Sequence, residues 1–186
     1  LPIWTSQHYE HAFQQFLKDK ELTGTIQSDD TTTTIELIGK SSHASLPHLG
    51  RNAVVLLSEF LNTVISNPIV DFIAKYFTDD YYAKKLGFGF TGQMGPLTLS
   101  VGIVHYENSQ LDIYLDLRCP HELDNDKMLS CMHEAIAPYG FKEEHHIGSH
   151  LFVDPNSELI QGLHRAYVDC TGDQDAQPQA IGGGKI

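Results

Sequence analysis

Basic residues are scarce in this 186-residue chain: 12 Lys and Arg stand against 24 Asp and Glu, a formal net charge of −12. Phosphate backbones and anionic membrane surfaces are held by clustered Lys and Arg, so the balance argues against a nucleic acid or a membrane as partner. Cysteine is sparse too. Cys119, Cys131 and Cys170 are an odd, widely spaced set with no CxxC pair, which argues against a disulfide framework or a thiolate zinc site and suits a reducing, cytoplasmic setting. No apolar run approaches the length of a membrane-spanning helix, and no signal-peptide pattern opens the chain. A GxSxG elbow and an HExxH helix are both missing, so neither hydrolase motif is on offer. What is present is ordinary: 41% apolar residues plus 15 Gly, enough for one domain burying about two-thirds of its unfolded surface. The chain opens without Met and stops just after Gly182-Gly183-Gly184, which reads as a piece taken from something larger.

Hydrophobic spacing predicts the elements. Tyr9, Phe13, Phe16 and Leu17 recur at helical intervals over 6–20, and Leu22-Thr23-Gly24 ends that run. The β-branched stretch 31–38 predicts a strand, followed by a loop over 39–50. A helix is expected over 52–65, with Ala53, Leu57, Phe60, Leu61 and Val64 on one stripe. Asn67-Pro68 reads as a cap and first position of another helix, and 78–96 as irregular. Residues 97–106 and 110–118 alternate strictly, with Leu97, Leu99, Val101 and Ile103 facing one way, and predict an antiparallel hairpin turning at Asn108-Ser109. A helix over 124–137, a short strand over 141–147 and a final helix capped at Asp154-Pro155 complete the chain. Strand, helix, hairpin, helix, strand is the order of an α+β, ferredoxin-like sandwich: a four-stranded antiparallel sheet with helices on one face, plus an inserted irregular segment. That fold alone implies no function.

Three features could carry chemistry. Gly39-Lys40-Ser41-Ser42-His43-Ala44-Ser45-Leu46-Pro47 places an imidazole in a small-residue loop at a strand end, where it could reach a ligand or simply be a surface histidine. Arg118 lies on the polar face of its strand with Asp112, Tyr114 and Asp116. Its guanidinium could grip a carboxylate with two hydrogen bonds, or pair with Asp116 or Asp112. Gly182, Gly183 and Gly184 could bare backbone N–H groups to a ligand, or serve as a linker; no Lys-Ser/Thr follows to make a phosphate loop. His145, His146 and His150 do not make a convincing metal site, because a strand sends adjacent side chains to opposite faces. Cys119, beside Pro120, reads as structural.

Taken in order, these pieces resemble the co-catalytic zinc dipeptidases of the aminoacylase, carnosinase and carboxypeptidase superfamily, and most of all the bacterial dipeptidase V type. The resemblance rests on Gly39–Ser45 with Pro47 and Gly50-Arg51-Asn52-Ala53; on Lys84-Lys85-Leu86-Gly87 and Met94-Gly95; on Asp116-Leu117-Arg118 with Pro120; and on Asp154-Pro155, Thr171-Gly172 and Ile181-Gly182-Gly183-Gly184. It implies that residues 1–147 are a lid domain and 148–186 the start of a segment returning to a catalytic domain. In such enzymes two zinc ions lie in the catalytic domain, with ligands outside this chain, so no metal ligand is expected here. By the same likeness His43 would stabilise the oxyanion, Arg118 would bind the C-terminal carboxylate of a dipeptide substrate, and Gly182, Gly183 and Gly184 would add backbone contacts. Lys185-Ile186 depart from the Thr and Tyr that usually follow the glycines. The expected partners are the dipeptide, the parent catalytic domain and a second copy of the chain. The competing reading is a stand-alone, non-enzymatic ferredoxin-like module for binding or dimerisation. An aminoacylase, deacetylase or tripeptidase specificity is also left open.

Overall fold

The structure is a computed structural model that describes residues 6–108, 110–148 and 152–179, with backbone alone for Ser6, Gln7 and Tyr106. The first helix, α1 (Ser6–Asp19), turns Phe13 and Leu17 inward. It ends where Glu21 takes a positive φ of 53° and the Leu22 N–H donates to the Leu17 carbonyl at 2.8 Å. A hairpin follows: β1 (Thr23–Ser28) pairs antiparallel with β2 (Thr33–Ile38), Thr23 opposite Ile38 and Ser28 opposite Thr33. The Asp29 carboxylate closes its turn by accepting the N–H groups of Thr31 and Thr32 at 2.8 and 2.7 Å, and those bonds hold its pKa below the usual carboxylate value. Gly24 lets α1 lie directly on the hairpin, since a Cβ there would come within 2.4 Å of the Glu36 carbonyl and 3.1 Å of the Phe13 ring.

Helices α2 (Ala53–Val64) and α3 (Pro68–Phe77) start at asparagine caps. Asn67 accepts from Ile69 and Val70 N–H, with Pro68 at a position whose missing N–H costs nothing. An irregular stretch then carries a minimal ladder, β3 (Thr91–Gly92) against β4 (Gly95–Pro96). The long hairpin β5 (Thr98–Glu107) and β6 (Gln110–Arg118) runs from Thr98 opposite Arg118 to Glu107 opposite Gln110. Helices α4 (Asn125–Ile136) and α5 (Glu158–Thr171) complete the set.

Two apolar clusters result. The larger joins Phe72, Ile73 and Phe77 of α3 with Ala83, Leu86 and Phe88, the inner face of β5, and Met128, Ala135 and Ile136 of α4. The smaller joins Phe13 and Leu17 to Phe60 and Val64 of α2, over the inner face of β1 and β2. Helix α2 belongs to both, because Val54 and Val55 in its first turn pack on the larger cluster. Whatever fixes the start of α2 therefore sets the two clusters relative to one another.

The α+β class and the helices agree with the sequence expectations; the four-stranded sheet does not. Among the described residues there are three two-stranded antiparallel sheets. Strand β2 takes β1 as partner, a strand not expected because Ile26 is the only large apolar residue in Thr23–Ser28. Residues 141–147 form no strand. The run Lys142-Glu143-Glu144-His145-His146 has no apolar face to bury; it is held by Phe141, 5.2 Å from the Phe72 ring, and by Glu143, 3.0 Å from His133 Nδ1 of α4. Ile103 does not face inward with Val101. A bulge between Val101 and Ile103 shifts the register, so that Val104 opposite Ile113 takes the core side and Ile103 opposite Tyr114 turns out. An extra residue on one strand flips every later side chain to the other face. The cap of α5 is Ser157, which accepts the Ile160 N–H, and not Asp154-Pro155.

The Tyr139 hydroxyl donates to Asp71 Oδ2 at 2.6 Å, tying the end of α4 to α3. Burial first, then this bond, pushes the phenol up to about 12. A free phenol ionises near pH 10, so the unfolded chain releases this proton first. The contribution of Tyr139 is complete below about pH 10 and is lost as pH rises toward about 12. Urea midpoints measured over that interval should fall further for the parent chain than for Tyr139→Phe.

Candidate functional site

The loop that carries His43 leaves the end of β2 and returns at the start of α2. Its mouth is closed by backbone: Lys40 and Arg51 form a bridge with N–H···O distances of 2.9 and 2.8 Å. Two glycines allow this. A Cβ on Gly39 would meet the Arg51 carbonyl at 2.4 Å, and one on Gly50 the Lys40 carbonyl at 2.7 Å. Arg51 also reaches the carbonyls of Lys20 and Glu21 at the end of α1, so a cation meets the negative end of that helix. Inside the loop the Leu46 N–H donates to the His43 carbonyl at 2.8 Å, and a single 3₁₀ turn, Pro47–Leu49, follows with Pro47 buried.

Two side chains fasten the loop to β5. Asn52 caps α2 by accepting from Val54 and Val55 N–H at 3.1 and 3.3 Å, while its Nδ2 donates to the Val101 carbonyl at 2.7 Å, beside the bulge. Thr98, only 5% exposed, donates its hydroxyl proton to the Ala44 carbonyl at 2.9 Å. Thr98 is the register partner of Arg118. The residue after His43 is thus bonded to the residue opposite Arg118, and this places the histidine loop at the end of the hairpin where the arginine lies. Sequence reasoning missed Thr98 and the second role of Asn52. Alternation marks Thr98 only as the first polar-face residue of β5; its place opposite Arg118 depends on the bulge between Val101 and Ile103, which the sequence does not announce.

His43 is exposed, and its Nδ1 lies 2.8 Å from Ser45 Oγ and 3.2 Å from the Ser45 N–H. Arg118 is half-exposed. Its Nη2 donates to Asp116 Oδ2 at 3.1 Å, and Nε lies 3.0 Å from Asp116 Oδ1 without hydrogen-bond alignment. Of the two acids weighed for Arg118, Asp116 is the partner; Asp112 accepts instead from Gln110. The neighbouring Cys119 thiol is raised by burial, which keeps it protonated and unsuited to be a nucleophile. A cavity of about 240 Å³ lined by Tyr82, Lys84, Gly89, Phe90, Thr91 and Pro96 contains neither His43 nor Arg118. His145 and His146 are exposed. Gly182, Gly183, Gly184 and His150 lie outside the described residues. No group of three or more His, Cys, Asp or Glu among the described residues could hold a metal ion, and no described helix is long and apolar enough to cross a membrane.

A family profile described as peptidase dimerisation domain matches residues 31–134, more than half of the chain and a span that includes both His43 and Arg118. The chain belongs to the peptidase dimerisation domain family. A Staphylococcus haemolyticus protein that bears the name dipeptidase is 34% identical over 185 residues, covering 96% of this chain and 38% of that protein. The Beta-Ala-Xaa dipeptidase of Lactobacillus delbrueckii subsp. lactis is 31% identical, covering 93% of this chain and again 38% of that protein. The chain thus spans well under half the length of the curated relatives it matches. Within this dimerisation domain the profile covers the loop, its two fastenings and the β5–β6 hairpin, but stops before α5.

The tether predicts a local effect. Thr98→Val keeps the shape and removes the hydroxyl donor, leaving the Ala44 carbonyl with a lost bond worth about 1 kcal/mol. Amide exchange at Leu46 should speed up in this variant while exchange along β6 stays as in the parent. Thr98→Ser, which keeps the donor, should retain the parent's protection at Leu46.

Proposed function

We propose that this chain is the substrate-closing lid of a longer metal-dependent dipeptidase. His43 stabilises the oxyanion and Arg118 receives the C-terminal carboxylate of the dipeptide. The observation that carries the reading is the Thr98 hydroxyl bonded to the Ala44 carbonyl beside His43, with Thr98 opposite Arg118 in the hairpin. Two residues far apart in sequence are held toward one end of a sheet by that bond. An exposed imidazole can donate to developing negative charge, and a donor so placed is worth about 100- to 1000-fold in rate. A guanidinium fixes a planar carboxylate with two parallel bonds and so orients the bond to be cleaved.

Asp116 supports the arginine's part. Both side chains of the pair are about 40% exposed, where an ion pair is worth only about 0–1 kcal/mol. Asp116 therefore aims the guanidinium without consuming it, and an incoming carboxylate meets little competition. Gly182, Gly183 and Gly184 belong to the proposal as backbone contacts to the substrate.

Among the described residues no cluster of His, Cys, Asp or Glu fits a metal centre. The two zinc ions that the resemblance implies belong, in this reading, to residues outside the chain. The division at residues 147 and 148 is part of the same proposal. Leu159, Leu163 and Tyr167 on α5 recur every four residues and are each more than half exposed, as expected of a helix whose covering surface lies in the remainder of a longer protein. Self-association also belongs here, since the matching family is described as a dimerisation domain.

In the full-length protein His43→Ala should lower kcat on dipeptides by about 100- to 1000-fold with the thermal midpoint unchanged. Arg118→Ala should raise KM and erase the preference for a free over an amidated C-terminus. A parental kcat in the histidine variant contradicts the oxyanion role.

A further inference from the structure

We propose that Ser45 is a positioning residue that fixes the tautomer of His43, keeping the ring proton on Nε2. The proposal rests on the dipeptidase reading for its purpose, but its geometry is independent of it. Nδ1 of His43 is approached by the Ser45 backbone N–H at 3.2 Å and by the Ser45 hydroxyl at 2.8 Å.

A neutral imidazole has one N–H and one lone pair, and a hydrogen bond at one nitrogen decides where the proton sits. The backbone N–H can only donate. It meets a lone pair on Nδ1 favourably and a second proton unfavourably. The hydroxyl can rotate to donate as well, so both Ser45 groups address the same lone pair. With Nδ1 so occupied, the proton resides on Nε2, and no hydrogen bond ties that nitrogen to the described residues.

The backbone holds this contact in place. The Leu46 N–H closes a turn on the His43 carbonyl, and the Ala44 carbonyl between His43 and Ser45 is held by Thr98. The imidazole and serine are thus two side chains of one braced turn. Ser45 is half-buried while His43 is exposed. In that arrangement the inner nitrogen is used for orientation and the outer one is free to donate. Donation from Nε2 is what an oxyanion needs; the other tautomer would present a lone pair to negative charge.

The test is ¹⁵N NMR of the histidine ring nitrogens in this chain at alkaline pH, where imidazole is neutral. In the parent chain, His43 Nδ1 should resonate as an unprotonated nitrogen and Nε2 as a protonated one. In Ser45→Ala, which keeps the backbone N–H and loses only the hydroxyl, the two shifts should move part-way toward each other as the tautomers begin to mix, and Ser45→Thr, which keeps the hydroxyl, should restore the parent pattern. A protonated Nδ1 in the parent chain overturns the proposal, as does a Ser45→Ala spectrum identical to the parent's. If Ser45→Ala does not fold, the parent and Ser45→Thr spectra still decide. The outcome is separable from the dipeptidase reading: a parental kcat in His43→Ala removes that reading and leaves the tautomer assignment standing.

Discussion

Asn52 makes the contact on which the arrangement depends. One side-chain oxygen caps α2, and the amide nitrogen of the same side chain holds the carbonyl at the β5 bulge. A cap of this kind is worth about 1 kcal/mol, and the amide's bond to the Val101 carbonyl contributes about 0.5–1.5 kcal/mol more. Helix α2 is shared by both apolar clusters, so its starting point also sets the end of the histidine loop. The bond from Asn52 to β5 therefore links three things: the register of the long hairpin, the docking of the α1–β1–β2 unit, and the placement of His43.

This suits the part proposed for the chain. A lid that carries a donor and a carboxylate receptor must move as one piece, or the two lose their spacing. The loop is short of apolar residues and could not hold itself by burial; Leu46 and Leu49 are largely exposed. It is held instead by polar bonds at both ends and in the middle: the Lys40–Arg51 bridge, Asn52 to Val101, and Thr98 to Ala44. The long polar face of β5 and β6 can stay open to a ligand because the core is supplied entirely by the opposite face, through Leu99, Val101, Leu115 and Leu117.

Much of this was legible in sequence, and the misses have physical causes. Helix positions follow from spacing and from asparagine and aspartate caps, which is why α2, α3 and α4 fall within a residue or two of expectation. The long hairpin was legible from strict alternation, but the bulge was not. The slip falls at Gly102, and nothing in the alternating pattern marks it, so alternation alone puts Ile103 on the inner face, from which the structure turns it out. Strand β1 has too little apolar character to declare itself and is defined by its partner. The stretch 141–147 has apolar residues only at its two ends, Phe141 and Ile147, and forms no strand. At the site, His43 and Arg118 were legible as residue types in suggestive places, while the choice of Asp116 over Asp112 needed geometry. The tethers, Thr98 and the amide of Asn52, are contacts across about fifty residues, and a single sequence carries no record of them.

The central claim is that the histidine loop rests against the arginine end of the hairpin in the chain itself. The direct measurement is the nuclear Overhauser effect between Ala44 and the Thr98 methyl group, in a sample whose β5–β6 cross-strand contacts confirm that the hairpin is formed. A clear cross-peak, kept in Thr98→Ser to the corresponding methylene, is the result the account predicts. Intact hairpin contacts with no Ala44–Thr98 cross-peak would contradict it, because the loop would then be free of the strand that carries the proposed carboxylate receptor.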